Sequence, residues 1–206
     1  MSVETETASA PAVRQPMQGR SRASLERMLN AAEALMTERG SDDFTLTDVS
    51  KAGKVSIGSI YCRFDSKDAL IQAVQARFSE TLEADQEKAV RDAEARATDL
   101  DSLVALLVDN IAETLRGHAA MLRPLMLRAT FDPIVAARGK EGYARLAGDV
   151  ERALLSRGDE IAHCDPKRAI ASCFRILYAA VARAVPAPAG RTARRYRDRR
   201  PRRRSG

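Results

Sequence analysis

Apolar residues recur every three or four positions along most of the chain, the spacing that one face of an α-helix produces. No segment alternates between apolar and polar residues for long enough to be a β-strand. The pattern therefore predicts an all-α protein with roughly eight helices. The long helices are predicted over residues 22–39, 66–97, 99 or 101–117, 132–156 and 165–185.

Glycine and proline mark the ends of these segments. The Asp-Pro pairs at 132–133 and 165–166 predict helix starts, because Pro suits the first helical position and Asp caps it. Pro124 bars an undisturbed helix through the stretch that follows Gly117. In the helix from residue 132 we expect these side chains to point inward: Ile134, Tyr143, Leu146, Val150 and Leu154.

The segment 45–70 predicts two short helices joined by a tight turn, with a third helix directly after. Thr45 or Thr47 can cap the first helix, since a side-chain oxygen there satisfies a free backbone N–H. We expect Gly53 to break this helix by adopting a conformation that is costly for other residues. Ser56 can cap the next helix. Such a unit is used to place its second helix in the major groove of DNA, although any helix pair in an α-helical protein also fits.

The second short helix has an inward and an outward side. Gly58 allows another backbone, of protein or phosphate, to approach it closely. Ser66 can cap the third helix, and Lys67 then stands at its first position, where a cation opposes the helix dipole. Local stability does not explain this lysine, whereas an external phosphate does. The predicted inward residues are Val55, Ile60 and Phe64, and the outward ones are Ile57, Ser59, Tyr61 and Arg63.

This segment resembles, without a gap, the DNA-binding unit of the TetR family of bacterial one-component regulators. The matching residues are Thr45, Asp48, Val49, Val55, Ser56, Gly58, Ser59, Ile60, Tyr61, Phe64, Ser66, Lys67, Asp68 and Leu70. Three departures stand out. Gly53-Lys54 replaces the usual Ala-Gly of the turn, Arg63 replaces a His or Tyr, and Cys62 occupies a position that is usually polar.

The resemblance implies a fold of two parts: an N-terminal three-helix domain with a helix-turn-helix, and a C-terminal helical domain for ligand binding and dimerisation. We expect a flexible arm over 1–20, the DNA-binding domain over 21–68, the effector and dimerisation domain over 69–185, and an arginine-rich disordered tail over 186–206. The partners implied are a double-stranded, palindromic DNA operator, a small-molecule effector and a second copy of the chain, bound through the C-terminal helices.

The resemblance also implies roles for individual residues. Phosphate contacts are expected from Thr45, Ser56, Tyr61 and Lys67, and contacts with base edges from Ile57, Ser59 and Cys62. Lys54, Gly58 and Arg63 complete the predicted DNA-binding set; Arg63 reaches phosphate or is a solvated charge. Arg14, Arg20 and Arg22 are either a DNA-contacting arm or a solvated tail. Candidate effector-pocket residues are His118, Met121, Arg123, Met126, Phe131, Tyr143, Phe174 and Tyr178.

Charge is distributed unevenly along the chain. The net charge is +6, but the last 16 residues carry nine Arg and one Asp, or +8, which leaves −2 for the other 190. DNA affinity of the folded part must therefore come from the placement of single charges. The tail offers an alternative function, nonspecific association with nucleic acid, because arginines release counterions from phosphates. Its composition, which contains several prolines and no apolar stripe, does not predict the additional interface helix that relatives of this kind carry.

Several classes of function find no support in the residues. We see no paired catalytic carboxylates, no Ser/His/Asp arrangement and no phosphate-binding loop, so we expect neither an enzyme nor a cofactor. Cys62, Cys164 and Cys173 form no CxxC pair and suggest buried or free thiols in a reducing cytoplasm. His163 and Cys164 lack further ligands for a metal. The sequence has no run of 18 apolar residues, so it predicts no membrane-spanning helix.

Overall fold

The computed structural model describes residues 17–184, with the side chains of 21–182. The predicted tail, 186–206, and most of the predicted arm lie outside this range. Within it the chain forms eight α-helices and one short 3₁₀ turn, and no strand. The helices are α1 (Met17–Arg39), α2 (Leu46–Gly53), α3 (Ile57–Tyr61), α4 (Lys67–Arg96), α5 (Leu100–Gly117), α6 (Ala119–Arg128), α7 (Pro133–Leu155) and α8 (Pro166–Ala184), with the 3₁₀ turn at Gly158–Glu160.

Side-chain caps determine where several helices begin. Asp99 accepts a hydrogen bond from the backbone N–H of Ser102, and the Ser102 hydroxyl reaches back to the N–H of Asp99. This reciprocal pair satisfies two free donors at the start of α5. Asp132 caps α7 by accepting from the N–H groups of Ile134 and Val135. Both Asp-Pro starts predicted from the sequence are confirmed.

The first hydrophobic cluster holds α1–α4 together and also includes residues from α6 and α7. Met28, Met36, Ile60 and Leu70 are fully buried in it. The same cluster takes in Met121 and Leu125 of α6 and Val135 of α7. The helix-turn-helix region therefore shares one continuous core with two helices from the C-terminal half. Any shift of α6 or α7 would therefore disturb the packing against α1 and α4, because close-packed cores transmit strain.

A second hydrophobic cluster lies between the end of α4 and the helices α5, α7 and α8. Val90 and Ala93 of α4 are buried against this cluster, although the second half of α4 is mainly polar. Its centre is lined by leucine, isoleucine and valine side chains. The buried members from α5 and α7 are Leu103, Leu107, Ile111, Leu115, Leu146, Val150 and Ala153.

Two predictions about the C-terminal half were wrong. The break after α5 lies at His118, and α6 runs through Pro124, which is buried within the helix. Pro124 removes one backbone donor, but its ring packs in the interior, so α6 survives. Ile134 is 53% exposed, and its neighbour Val135, 1% exposed, points inward in its place. The other predicted inward residues of α7 agree with the structure: Leu146 and Val150 are buried, and Tyr143 and Leu154 are partly buried against the same cluster.

Among the described helices, none is both long enough and apolar enough to cross a membrane. The described residues likewise contain no cluster of three His, Cys, Asp or Glu side chains placed to hold a metal ion. All three cysteines are free and exposed, so the expectation of free thiols is confirmed and the option that they are buried is not.

Candidate nucleic-acid interface

Two reciprocal hydrogen bonds cap the start of α2. The Thr45 hydroxyl accepts a hydrogen bond from the N–H of Asp48 at 3.1 Å, and the Asp48 carboxylate accepts from the N–H of Thr45 at 3.0 Å. Arg39 reaches the same carboxylate at 3.3 Å. The backbone hydrogen bond from Thr45 has the largest effect and lowers the pKa of Asp48. Burial opposes it, but the Thr45 hydroxyl and Arg39 add to the lowering, so the pKa stays below its usual value. The carboxylate is thus charged where the helix dipole favours a negative group.

The turn between α2 and α3 differs from the predicted one. Lys54, not Gly53, adopts the left-handed conformation, with φ 49° and ψ 47°. Gly53 is the last residue of α2 and is buried, and a Cβ atom there would lie 2.9 Å from the carbonyl oxygen of Arg27. Its glycine is needed for close packing against α1, not for a special backbone angle. Ser50 closes the turn by donating to the carbonyl of Val55 at 2.6 Å.

The helix α3 is held by its inner side and presents its outer side to solvent. Ser56 caps it by accepting from the N–H of Ser59 at 3.1 Å, and the two hydroxyls are 2.7 Å apart. The predicted inward residues Val55, Ile60 and Phe64 are buried, as expected. The predicted contact residues that are exposed are Thr45, Lys54, Ser56, Ile57, Gly58, Tyr61, Cys62 and Arg63, while Ser59 and Lys67 are half-buried.

Ile57 and Tyr61 are the large apolar groups of this outer side. Ile57 is 40% exposed and Tyr61 58% exposed, although both sit on a helix of only five residues. Among the described residues, no atom beyond the chain neighbours of Gly58 and the backbone of its own helix lies within 4 Å of a Cβ atom built there. The protein itself therefore gives no reason for a glycine at this position. Arg63 turns away from this face, because its guanidinium donates to the backbone carbonyl of Ser21 at 2.7 Å and to its hydroxyl.

Lys67 has partners inside the protein that the sequence did not reveal. Its ammonium donates to the carbonyl oxygen of Asp42, lies 3.9 Å from the Asp42 carboxylate and sits 4.7 Å from the centre of the Phe44 ring. These contacts give a local reason for a cation at the first position of α4, which corrects the expectation that only an external anion explains it. The side chain keeps 31% exposure and so can still reach outward.

A buried arginine connects this region to the C-terminal half. Arg128, at the end of α6, pairs with Asp42 at 2.7 Å, Asp68 at 2.7 Å and Asp132 at 2.9 Å, and we call these four residues the Arg128 cluster. Its side chain is only 8% exposed, so this arginine is buried and not solvated. Burial lowers the pKa of Arg128, but hydrogen bonds to Asp68, Asp42 and Asp132 outweigh it and raise the pKa above its ordinary value.

Asp132 has the complementary environment. Burial raises the pKa of Asp132, but the hydrogen bonds from Arg128, the N–H of Val135 and Gln72 more than reverse this and hold it below its usual value. Both members of the pair are therefore charged, as a buried ion pair requires. The cluster joins the loop before α2, the first turn of α4, the end of α6 and the start of α7.

A cavity of about 500 Å³ lies next to this cluster, between α4, α5, α6, α7 and α8. Its volume is typical of small-molecule sites. The wall is mainly apolar, with Phe78, Leu82, Leu115 and Leu125 among its residues. Gln75 is buried in this wall; its amide donates to the carbonyl of Val135 at 2.9 Å, and its Oε1 has no donor among the described residues.

The predicted effector-pocket residues do not come together in one place. Met126, Tyr143 and Tyr178 line the cavity of about 500 Å³. His118 and Met121 line a separate, more polar recess beside α1, and Phe174 lines an apolar groove. Arg123 and Phe131 line none of these three spaces; the Phe131 ring packs instead against the Arg128 guanidinium. The sequence pattern also missed Gln75 and Gln86, since a buried amide on a helix has no periodic signal.

The apolar groove has a volume of about 330 Å³ and lies between α5, α7 and α8. Tyr178 belongs to both the groove and the larger cavity, and its ring packs edge-on against Tyr143 with 4.9 Å between centres. Burial, followed by the nearby Tyr143, raises the pKa of Tyr178, so its phenol is neutral. On α8, Ile176 is 68% exposed on the outer side, and Leu177, which lines the groove, is 41% exposed.

Comparison with known proteins agrees with this arrangement. Residues 28–74, from the middle of α1 to the start of α4, match the family described as bacterial regulatory proteins, tetR family. The chain is 28% identical over 158 residues to the HTH-type transcriptional regulator UidR of Escherichia coli strain K12, a match that covers 68% of this chain and 78% of that protein.

Solved structures show the same fold over most of the described residues. A transcriptional regulator from Rhodococcus sp. Rha1 superimposes with a TM-score of 0.62 at 18% identity, covering 81% of this chain and 86% of that one. A TetR transcription regulator from Haloarcula marismortui also has a TM-score of 0.62, at 17% identity, covering 80% of this chain and 87% of that one. The helix order and the position of the helix-turn-helix are thus those of a known fold.

Proposed function

We propose that this chain, which matches the family described as bacterial regulatory proteins, tetR family, over residues 28–74 and is similar to the transcriptional regulator UidR, is an effector-responsive repressor and not an enzyme. It binds a palindromic operator as a homodimer. One observation carries this proposal: a helix-turn-helix capped at Thr45 and Ser56 directs an exposed face of α3 away from its own core. That face carries Ile57 and Tyr61 although no described part of the protein covers them.

The proposed DNA contacts divide into two groups. Thr45, Ser56, Tyr61 and Lys67 position the protein on the phosphates, which fixes register without reading sequence. Ile57, Ser59 and Cys62 approach base edges in the major groove, where the thymine methyl suits the apolar Ile57. Lys54 is exposed in the turn and adds a charge near the backbone of the DNA, whereas Arg63 supports α1 through Ser21.

Footprinting on the DNA upstream of the coding region tests this function. We expect one protected region containing an imperfect palindrome, with half-sites about one helical turn, roughly 10 base pairs, apart or a multiple of it. Ile57→Ala should weaken binding to that site more than to unrelated DNA. Protection that is absent, or spread evenly along the fragment, would contradict the proposal.

The homodimer is proposed from the outer side of α8. Ile176 is exposed there, away from the buried Ile170 and Phe174, and a single chain gains little from such an apolar side chain in solvent. Ile176→Asp should shift the protein from dimer to monomer in analytical ultracentrifugation and weaken operator binding. Ala171→Asp places the same charge on the same helix, about 140° around the axis, and serves as the matched control. Equal behaviour of the two variants would place the interface elsewhere.

The cavity between α4 and α8 is the proposed effector site. Its wall is mainly apolar, and its charged lining residues already have partners or are exposed: Glu83 pairs with Arg145, and Arg138 donates to the carbonyl of Gln72. Arg128 is occupied by aspartates and does not face a ligand. We therefore propose a neutral, mainly apolar effector with few hydrogen-bonding groups. Neutral compounds, not anionic analogues of the same size, should raise the melting temperature, and Ala136→Phe, which fills the cavity, should abolish that rise.

Nonspecific association through the arginine-rich tail is the alternative function, and the fold does not favour it. A version of the chain that ends at Val185 separates the two. If it still prefers the footprinted operator over unrelated DNA, the helix-turn-helix carries recognition. If operator preference is lost while the shortened chain remains a dimer, the tail carries it. Measuring the oligomeric state alongside is essential, because only dimers present two copies of α3 to a palindrome.

A further inference from the structure

The Arg128 cluster and Lys67 share one carboxylate. We propose that Arg128 sets DNA affinity from outside the DNA-facing surface by competing with Lys67 for Asp42, and that a molecule in the cavity acts through this competition. This inference rests on the proposed function, since it assumes that Lys67 contacts a phosphate. Arg128 is then a positioning residue: it touches neither DNA nor effector.

The competition is visible at a single atom. Oδ2 of Asp42 lies 2.7 Å from Nη1 of Arg128 and 3.9 Å from Nζ of Lys67. The Arg128 contact has hydrogen-bond length, whereas the Lys67 contact is only an ion pair. Lys67 is held in addition by the carbonyl oxygen of Asp42 and the face of the Phe44 ring. In this state Asp42 is largely neutralised by Arg128, and the ammonium of Lys67 is free to exchange its contacts for a phosphate.

Loss of the Arg128 contact would make Asp42 attract Lys67 instead. Asp42 would then carry an uncompensated charge, with Lys67 as its nearest cation. The carboxylate is only 21% exposed, so salt screens the attraction less than it screens an exposed pair. Lys67 would be captured by Asp42 and lost to the DNA. Arg128 has two other partners, Asp68 and Asp132. Neither of them is paired with Lys67, so neither would capture it as Asp42 does.

The cavity adjoins the Arg128 cluster at two of its residues, Arg128 and Asp132. Ala129 and Thr130, the two residues after Arg128, line the cavity, and so do Val135 and Ala136, just after Asp132. An occupant therefore presses on the backbone that carries the arginine and on the first turn of α7. An effector can shift the equilibrium only by its differential affinity for the two arrangements, and the position of Arg128 relative to Asp42 is a difference that the cavity wall controls.

Three variants first test the competition on the footprinted operator. Arg128→Met should weaken binding roughly eightfold at 0.1 M salt and lower the slope of log K against log[salt] by about 0.9, the change expected for one lost phosphate contact. Arg123→Met removes the same charge from the same helix and should leave the slope unchanged. Arg128→Met/Asp42→Asn should recover the slope, because no carboxylate is left to capture Lys67.

The double variant separates competition from a merely structural role. If Arg128 only holds the fold together, Asp42→Asn cannot restore binding, and an unrestored slope overturns the proposal. If Arg128→Met fails to fold, the single variant Asp42→Asn tests the competition without it. It should bind more tightly than Asp43→Asn, which removes the same charge one residue away without touching Lys67 or Arg128. Equal affinities for these two variants would also overturn the proposal.

The role of the cavity is tested with a side chain as occupant. Ala136→Phe should weaken operator binding and lower the salt slope in the wild-type background, but change neither in the Asp42→Asn background. The same loss in both backgrounds would overturn the coupling between cavity and cluster. A wild-type chain that shows no preference for any operator would instead contradict the proposed function itself, so the two failures are distinguishable.

Discussion

The turn between α2 and α3 allows a quantitative prediction. Lys54 has a backbone conformation that favours glycine, whereas the neighbouring Gly53 is needed for close packing. Lys54 has φ 49° and ψ 47°, and its side chain is exposed. A residue with a Cβ atom loses about 1–2 kcal/mol in this conformation, and glycine does not. Since glycine also raises the entropy of the unfolded chain, Lys54→Gly should increase the free energy of unfolding by roughly 0.5–1 kcal/mol.

The opposite change is expected one residue earlier. A Cβ atom on Gly53 would lie 2.9 Å from the backbone oxygen of Arg27 and 3.3 Å from Cβ of Ala31. Both belong to α1, and a backbone oxygen cannot turn away as the end of a side chain can. Gly53→Ala should therefore force α1 and α2 apart and lower the free energy of unfolding by about 1–3 kcal/mol, the usual cost of overpacking.

Urea denaturation followed by far-UV circular dichroism measures both variants. For a chain of this size 1 kcal/mol corresponds to a shift of about 2–4 °C in melting temperature. Lys54→Ala is the matched control, because alanine keeps the Cβ atom and hence the strain while removing the charge and the long side chain. If Lys54→Gly is no more stable than Lys54→Ala, or if Gly53→Ala is neutral, the assignment of the two roles in this turn is wrong.

Three further predictions follow from the same structure. Gly58→Ala should raise the melting temperature, because alanine favours helix over glycine by about 0.8–1 kcal/mol and its Cβ atom meets no described residue within 4 Å. The same variant should weaken operator binding in fluorescence anisotropy, and unchanged affinity would mean that no DNA backbone approaches Gly58. Lys67→Ala should weaken binding to operator and unrelated DNA alike and lower the salt slope by about one, and a loss of sequence preference at constant slope would refute a phosphate role. The stability contributed by Asp132 should be complete above its unfolded pKa of about 3.9 and should be lost as the pH falls through its lower folded pKa; in Asp132→Asn, acid titration should show less of this loss.

The local features of the interface were predictable because they depend on residues within one turn of each other. Thr45, Ser56 and Ser66 cap α2, α3 and α4, as their positions ahead of helical patterns indicated. Ile60 and Phe64 are buried as the spacing required. The turn was predicted less well, because glycine has two uses. The sequence pattern does not distinguish a glycine needed for its backbone angle from one needed for close packing, and Gly53 is of the second kind.

The residues predicted to line an effector pocket lie in separate spaces for a related reason. His118, Met121 and Phe174 share helical spacing with the residues that line the larger cavity, but His118 and Met121 face the recess beside α1 and Phe174 faces the apolar groove. The direction of a side chain on a buried helix depends on which neighbours surround it, and helices such as α4 and α7 have neighbours on several sides. Gln75 lines the cavity although nothing in its local sequence marks it.

Sequence alone was sufficient for the helix-turn-helix, because caps, turns and amphipathic faces involve hydrogen bonds and contacts between residues three or four positions apart. It was not sufficient for Arg128, whose partner Asp42 lies 86 residues earlier in the chain. Read along the chain, Arg128 is one more charge at the end of a helix and Lys67 an unexplained one at the start of another. Folding removes both side chains partly or wholly from water and leaves them one carboxylate to share, and this enforced proximity makes their charges interdependent.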